Sequence, residues 1–359
     1  MNEVLLLDRE LPLATDGQIA VINQASARQH AWSRFGRAPE RPGLAEYVAE
    51  QEGVALEFFS DFQALDRLND LAEQLAASGA GASRAALLRT QAASAAHRFA
   101  EAREHLAQAS RLGAGEDTVL RLTLGIDQAC GTNLDAVLAS RRAIAAASGR
   151  LEDQVPLGAL LADLGKCDEA DAIYRHALRT YQDVSPFALA WVCFQLGVLW
   201  GEQAAERQSA RAAGWYRQAI AYLPCYVKAR VHQAELCLED GLAVAARDLL
   251  IPALPSGDPE VAWRLGDVLT ALGEATAASK MIAVAGDGFE RLLETHLLAF
   301  ADHGAEFYAG SGNDADRAYA LARANLANRP TRRAFDQANA AAGKAKKTLS
   351  VCDGNGEDT

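Results

Sequence analysis

Basic residues, aromatics and cysteines are scarce in this 359-residue chain, and each shortage narrows the reading. Lys plus Arg number 35 against 47 Asp plus Glu, a net charge of −12. Binding a phosphate backbone needs a concentrated basic surface to displace counterions, so nucleic acid is excluded as an expected partner. The six cysteines, Cys130, Cys167, Cys193, Cys225, Cys237 and Cys352, form no C-x-x-C pair. Zinc, iron–sulfur and thioredoxin-like chemistry thus lack their ligand spacing, and the thiols read as structural groups in a reducing cytoplasm, with Cys352 an exposed thiol. Long apolar runs are missing too: Phe187 to Trp200, the longest at 14 residues, contains Gln195 and Gly197. That is short of the ~20 residues that span a bilayer, so a buried helix is expected there and no membrane insertion. Met1 to Arg9 offer neither a basic start nor an apolar core, so no secretion signal is expected and the location expected is cytoplasmic.

Catalytic signatures are equally absent. His30, His97, His105, His176, His232, His296 and His303 fall into neither H-E-x-x-H nor H-x-x-x-H. Neither G-x-S-x-G nor a P-loop occurs, and Gly79, Gly81, Gly286 and Gly288 read as loop punctuation. Adjacent acids such as Asp168–Glu169 and Glu239–Asp240 suit helix ends, where they complement the dipole of the following helix. The expectation is no catalytic residue, no metal and no cofactor.

What is abundant is alanine, at 76 positions, and with aromatics at only 7% this favours closely packed helices over a sandwich or barrel. The small residues recur. Ala102 and Ala109, Ala136 and Ala143, and Ala170 and Ala177 repeat in steps of 34 residues, each pair two helical turns apart. A larger residue sits between them in two of the three units, Leu106 and Tyr174, while Ser140 fills the middle one. Gly131, Gly165, Gly241 and Gly273 lie where the first helix of a pair must stop.

Leu157-Gly158, Leu161, Gly165, Ala170, Tyr174 and Ala177 closely resemble the tetratricopeptide repeat. A second copy reads Leu196-Gly197, Trp200, Ala212, Tyr216, Ala219 and Pro224, with about three extra residues in the turn from Glu202 to Arg211. A third is Leu265-Gly266, Leu269, Gly273, Ala278, Ile282 and Ala285, and Ala318, Ala322 and Pro330 form a weaker one. Units begin near residues 46, 83, 117, 151, 190, 227, 259 and 299, making seven or eight helix pairs. Pro252 and Pro255 predict a short or kinked second helix in the unit near 227.

The resemblance implies an all-α fold, a right-handed α-α superhelix of antiparallel helix pairs. Residues 1–45 are expected to form an N-terminal capping helix and loop, with Asp16 capping a helix to about Phe35. Residues 46–330 form the solenoid, 331–343 a C-terminal capping helix and 344–359 a mobile tail. Projecting the family's inward-facing places gives Arg84, Gln91, Arg121, Gln128, Trp191, Phe194, Lys228, His232, Glu235, Trp263, Arg264 and Asp267 as a partner-binding groove, with Glu239 beside them. Trp191 and Trp263 read either as inter-repeat core or as anchors for an apolar partner side chain, with Lys228 and Arg264 for a carboxylate. The family's Lys/Asn carboxylate clamp lacks its asparagines, since Gln91 and Gly125 stand in those places. Glu235, three residues from His232, can hold that imidazole as a cation. The implied function is a non-catalytic adaptor or scaffold for a protein or peptide segment. A ligand-responsive sensor of a small peptide or metabolite is the alternative, and a helical enzyme of unfamiliar type a more distant one.

Overall fold

The computed structural model describes residues 11–79, 81–347 and 349; residues 348 and 350–359 of the expected tail, Cys352 among them, lie outside these. The described residues form seventeen α-helices and no strand. Helix α1 (Gly17–Arg37) opens the chain, its first amides capped by Asp16. Antiparallel hairpins follow: α2 (Leu44–Phe59) with α3 (Ala64–Ala77), α4 (Ala82–Ala95) with α5 (Phe99–Arg111), α6 (Glu116–Ala129) with α7 (Leu134–Ser148), and α8 (Leu151–Asp163) with α9 (Cys167–Thr180). Next come α10 (Pro186–Val198) with α11 (Ser209–Tyr222), α12 (Val227–Glu239) with α13 (Ala243–Leu250), and α14 (Pro259–Ala271) with the first part of α15 (Ala275–Ala309). The rest of α15 pairs with α16 (Ala315–Asn328), and α17 (Arg332–Lys344), capped by Thr331, ends the array.

The repeat's physical cause is visible inside the hairpins. A Cβ on Gly158 would stand 2.5 Å from Cε1 of Tyr174, one on Gly197 would overlap Tyr216, and one on Gly266 would stand 2.5 Å from Cδ1 of Ile282. Each glycine lets a large side chain of the second helix lie directly on the first, while the buried Ala170, Ala212 and Ala278 keep the backbones close. These are tetratricopeptide-like hairpins. Their turns share one closure, in which Lys166, Thr132, Leu242 and Glu274 donate backbone N–H back to Leu161, Asp127, Cys237 and Leu269, with Gly165, Gly131, Gly241 and Gly273 at positive φ. In the α4–α5 hairpin the same closure runs from Arg98 to Ala93, but His97 takes the left-handed place at φ 54°.

Irregularities follow the sequence where it changes. After α10 the chain makes a π-helical turn, Leu199–Gln203, and the extra residues of this unit continue into a loop before α11. Pro252 ends α13 at Leu250, and a 3-10 segment, Ile251–Ser256, continues it. Gly286 and Gly288 are not loop punctuation: both lie within α15, where Gly288 faces Pro259 at a distance that leaves a Cβ only 2.8 Å. The helix bends instead at His296, whose φ of −135° and ψ of 49° mark the join between two hairpins.

The superhelix closes on itself. Phe58 of α2 packs on Phe187 and Tyr226, with centroids 5.2 and 4.8 Å apart, and Phe62 packs on Phe300 at 4.8 Å. At the other end, Asn328 donates from Nδ2 to the His97 carbonyl at 2.9 Å, and Arg329 Nη1 lies 3.3 Å from His97 Nδ1. Pro330 and Thr331 rest against Gly131. No helix among the described residues is long and apolar enough to cross a membrane.

Candidate binding site

Where the last helices meet the α6–α7 turn, the array lines an open-sided cavity of about 1860 Å³. Helices α6 to α8 contribute Gln128, Arg141 and Asp163, α10 and the π turn add Trp191, Trp200 and Glu202, and α14 adds Trp263 and Arg264. The closing wall comes from α15 and α17, with Glu306, Arg333 and Gln337, and from Arg329 between α16 and α17. At this volume the space exceeds the 300–1,000 Å³ typical of small-molecule sites.

Beneath it runs a chain of ion pairs. His232 Nδ1 lies 2.8 Å from Glu202 and 3.6 Å from Glu235, edge-on to Phe194. Arg264 pairs with Glu235, stands 3.6 Å from Glu260 and covers the Trp263 ring at 3.6 Å. Glu260 in turn lies 3.4 Å from His303 Nδ1. Burial alone would depress both imidazoles, but their acidic neighbours outweigh it: Glu202 and Glu235 raise His232, while Asp302 and Glu260 raise His303 to about 10. His303 is therefore a cation at neutral pH, His232 is shifted towards its charged form, and Glu260 is held well below the carboxylate range by His303 and Arg264 despite burial.

The cavity brings together four of the residues marked from the sequence: Gln128, Trp191, Trp263 and Arg264. Gln128 donates to the Pro156 carbonyl at 3.1 Å and accepts from Arg141 Nε at 3.0 Å. Trp191 is half-buried on the wall, whereas Trp263 is 4% exposed, edge-on to Phe289 and Phe307, and donates to Ser311 Oγ at 3.1 Å. The same serine donates to Asp267. Other marked residues serve contacts elsewhere. Phe194 is buried against Tyr216, Tyr226 and His232, and Lys228 reaches Glu57 of α2 at 2.7 Å. Arg84 grips Glu46 at 2.7 and 2.8 Å, Arg121 pairs with Asp117 and Asp153, Glu239 with Arg207, and Gln91 is exposed on α4.

Sequence reading did not mark Arg141, Asp163, Glu202, Glu306 or Arg333. Arg141 and Arg333 lie on a second helix and on the terminal cap, places that a projection of first-helix positions does not sample. Glu202 belongs to the π turn, whose geometry has no counterpart in the repeat. Among the described residues no group of His, Cys, Asp and Glu side chains could hold a metal ion.

No protein-family model and no curated protein matches the chain. Among solved structures it is similar to a chain of the Cut9–Hcn1 hetero-tetramer of the APC/C, at 13% identity and a TM-score of 0.39, covering 89% of this chain and 52% of that one. It thus spans about half the length of that neighbour. It is also similar to yeast Tom70, at 14% identity and a TM-score of 0.33 over 90% of this chain and 84% of that one. A third likeness is to the C-terminal part of a TPR repeat-containing protein from Cytophaga hutchinsonii, at 15% identity and a TM-score of 0.33 over 82% and 97%. The repeat type rests on the glycine-on-aromatic stacks within the hairpins, which these low scores neither add to nor weaken.

Proposed function

We propose that this chain is a non-catalytic cytoplasmic binding protein that receives a protein or peptide segment in the open-sided cavity lined by its tetratricopeptide-like superhelix. The supporting observation is the cavity of about 1860 Å³, walled by indoles, arginines and carboxylates from hairpins far apart in sequence. The half-buried Trp191 indole supplies apolar contact at low entropic cost, and the charges fix orientation. On this reading the partner site comprises Gln128, Trp191 and Arg264 of the residues marked from the sequence, with Trp263 buried beneath Arg264 as its support.

Site-specific photocrosslinking tests it. A benzoylphenylalanine at Trp191 should yield peptide or protein adducts in the native host, while one at Val244, exposed at 53%, should not. Equal labelling from both positions would sink the proposal. A second reading, the ligand-responsive sensor, is favoured by the contacts of Asn328 and Arg329 on His97, because a frame that closes on itself can encapsulate a small ligand. Adducts of metabolite mass at position 191 would select it.

A further inference from the structure

The cavity is polarised, and its uncompensated charges describe what it would hold. Arg141 donates from Nε to Gln128, but its terminal nitrogens have no acceptor and no paired carboxylate among the described residues. The charges it feels are Asp153, already engaged by Arg121, and Arg121 itself. Burial consequently lowers its affinity for a proton, the mark of a cation without a counter-charge. The indole N–H of Trp191 also lacks an acceptor among the described residues.

Elsewhere in the same cavity the imbalance reverses. Asp163 accepts only from the neutral amide of Gln203, at 3.2 Å, and Glu306 from that of Gln337, at 3.4 Å. Arg333 stands 3.9 Å from Glu202 and 4.0 Å from Glu306, beyond hydrogen-bonding reach of either. Partial desolvation pushes the Asp163 and Glu306 carboxyls above their usual range, against the pull of Arg333 on both and of His303 on Glu306, although Asp163 is exposed and Glu306 41% exposed, so these carboxylates stand at the solvent-open side of the cavity. The cations that Asp163 feels are Arg333 and Arg329, not Arg141, so Arg141 stands without a counter-charge at one end of the cavity while solvent-facing carboxylates gather at another.

We propose that this bipolar cavity holds a short unmodified peptide whole, its terminal carboxylate on Arg141 and a cationic group, α-ammonium or basic side chain, at Asp163 and Glu306. The proposal rests on the binding reading above and narrows it to a free, zwitterionic ligand. A guanidinium offers two parallel N–H donors to a carboxylate, and Trp191 adds a neighbouring donor and an apolar wall. A segment inside a longer chain has no terminal carboxylate for Arg141.

The test uses the full chain and four probes: a random pool of unmodified peptides of about eight residues, ~25 Å extended, the same pool C-terminally amidated, the pool N-acetylated, and the same segments displayed in a loop of a folded carrier. Melting midpoint and intrinsic tryptophan fluorescence are the readouts. The unmodified pool should raise the midpoint. Amidation, or Arg141→Gln, should weaken apparent affinity roughly tenfold or more, while Arg141→Lys recovers part of it. Asp163→Asn and N-acetylation should act together, each lessening the effect of the other. If Arg141→Gln fails to fold by circular dichroism, amidation of the ligand on the unaltered protein decides alone. Equal binding of free and amidated pools overturns the bipolar site while leaving the binding reading standing, and carrier-displayed segments binding as well as free peptides overturn enclosure. Binding by none of the four overturns both.

Discussion

Gly197 has its missing Cβ occupied by the Tyr216 ring, and Tyr216 is 1% exposed and cannot retreat. Gly197→Ala should therefore destabilise by about 1–3 kcal/mol through overpacking, whereas Gly53→Ala, with nothing within 4 Å in the middle of α2, should be neutral or stabilise by up to ~1 kcal/mol. Urea midpoints at constant m would distinguish the two. Tryptophans divide in the same way. Trp215 is 2% exposed under Arg175, so Trp215→Ala should cost about 3–5 kcal/mol, and Trp191→Ala, on the cavity wall, clearly less. At this scale the sequence was most readable for Gly158–Tyr174 and Gly197–Tyr216, because a glycine and an aromatic at fixed spacing have one packing meaning. His97 was not readable, since nothing in its residue type announces a left-handed backbone position that glycine fills in other turns.

Helices were legible where punctuation is local. Asp16 before α1 and Pro252 after α13 each act within one turn, and each produced the feature expected of it, whereas the π turn at Leu199–Gln203 was not legible in the extra residues between Glu202 and Arg211. Gly286 and Gly288 misled because the same residue that breaks a helix also admits close packing, and only the position of Pro259 reveals which applies. The cavity-lining Arg141 and Arg333 were hidden for a related reason: surface arginines on a second helix and on a cap are ordinary until the array curves and faces them inward. Capping gives a direct check at this scale. Asp16 accepts from the amides of Gln18 and Ile19 at 2.9 and 3.1 Å, so Asp16→Ala should cost about 1 kcal/mol. Faster hydrogen exchange confined to the first turns of α1, with α2 and α3 unchanged, is the expected signature.

Closure belongs to the whole molecule, and repeat spacing could not reveal it, because a solenoid's regular contacts join only neighbours while His97 meets Asn328 and Arg329 from the opposite end. That junction titrates. Burial, aided by Arg329, lowers His97 to about 4; its ring bonds the Leu298 carbonyl and leaves Nδ1 to accept from Arg329. The neutral ring is thus the one that fits, and its stabilisation is present above pH 6.5 and lost as pH falls from 6.5 towards 4, where the unfolded chain takes up a proton that the folded chain resists. His303 works in the opposite sense. Raised to about 10, it contributes fully below pH 6.5 and loses that contribution as pH rises towards 10, although its 47% side-chain exposure screens the gain. Stability should peak near neutrality, with an acid limb of at most about 3 kcal/mol from His97. His97→Gly, which suits the left-handed turn and cannot titrate, should flatten the acid limb, and His303→Gln the alkaline one. Small-angle scattering should show the closed frame expanding between pH 6.5 and 4 while helical circular dichroism persists, because the junction of the ends opens before the hairpins melt. Helix loss in step with expansion would show instead that the two ends and the repeats between them unfold as one unit.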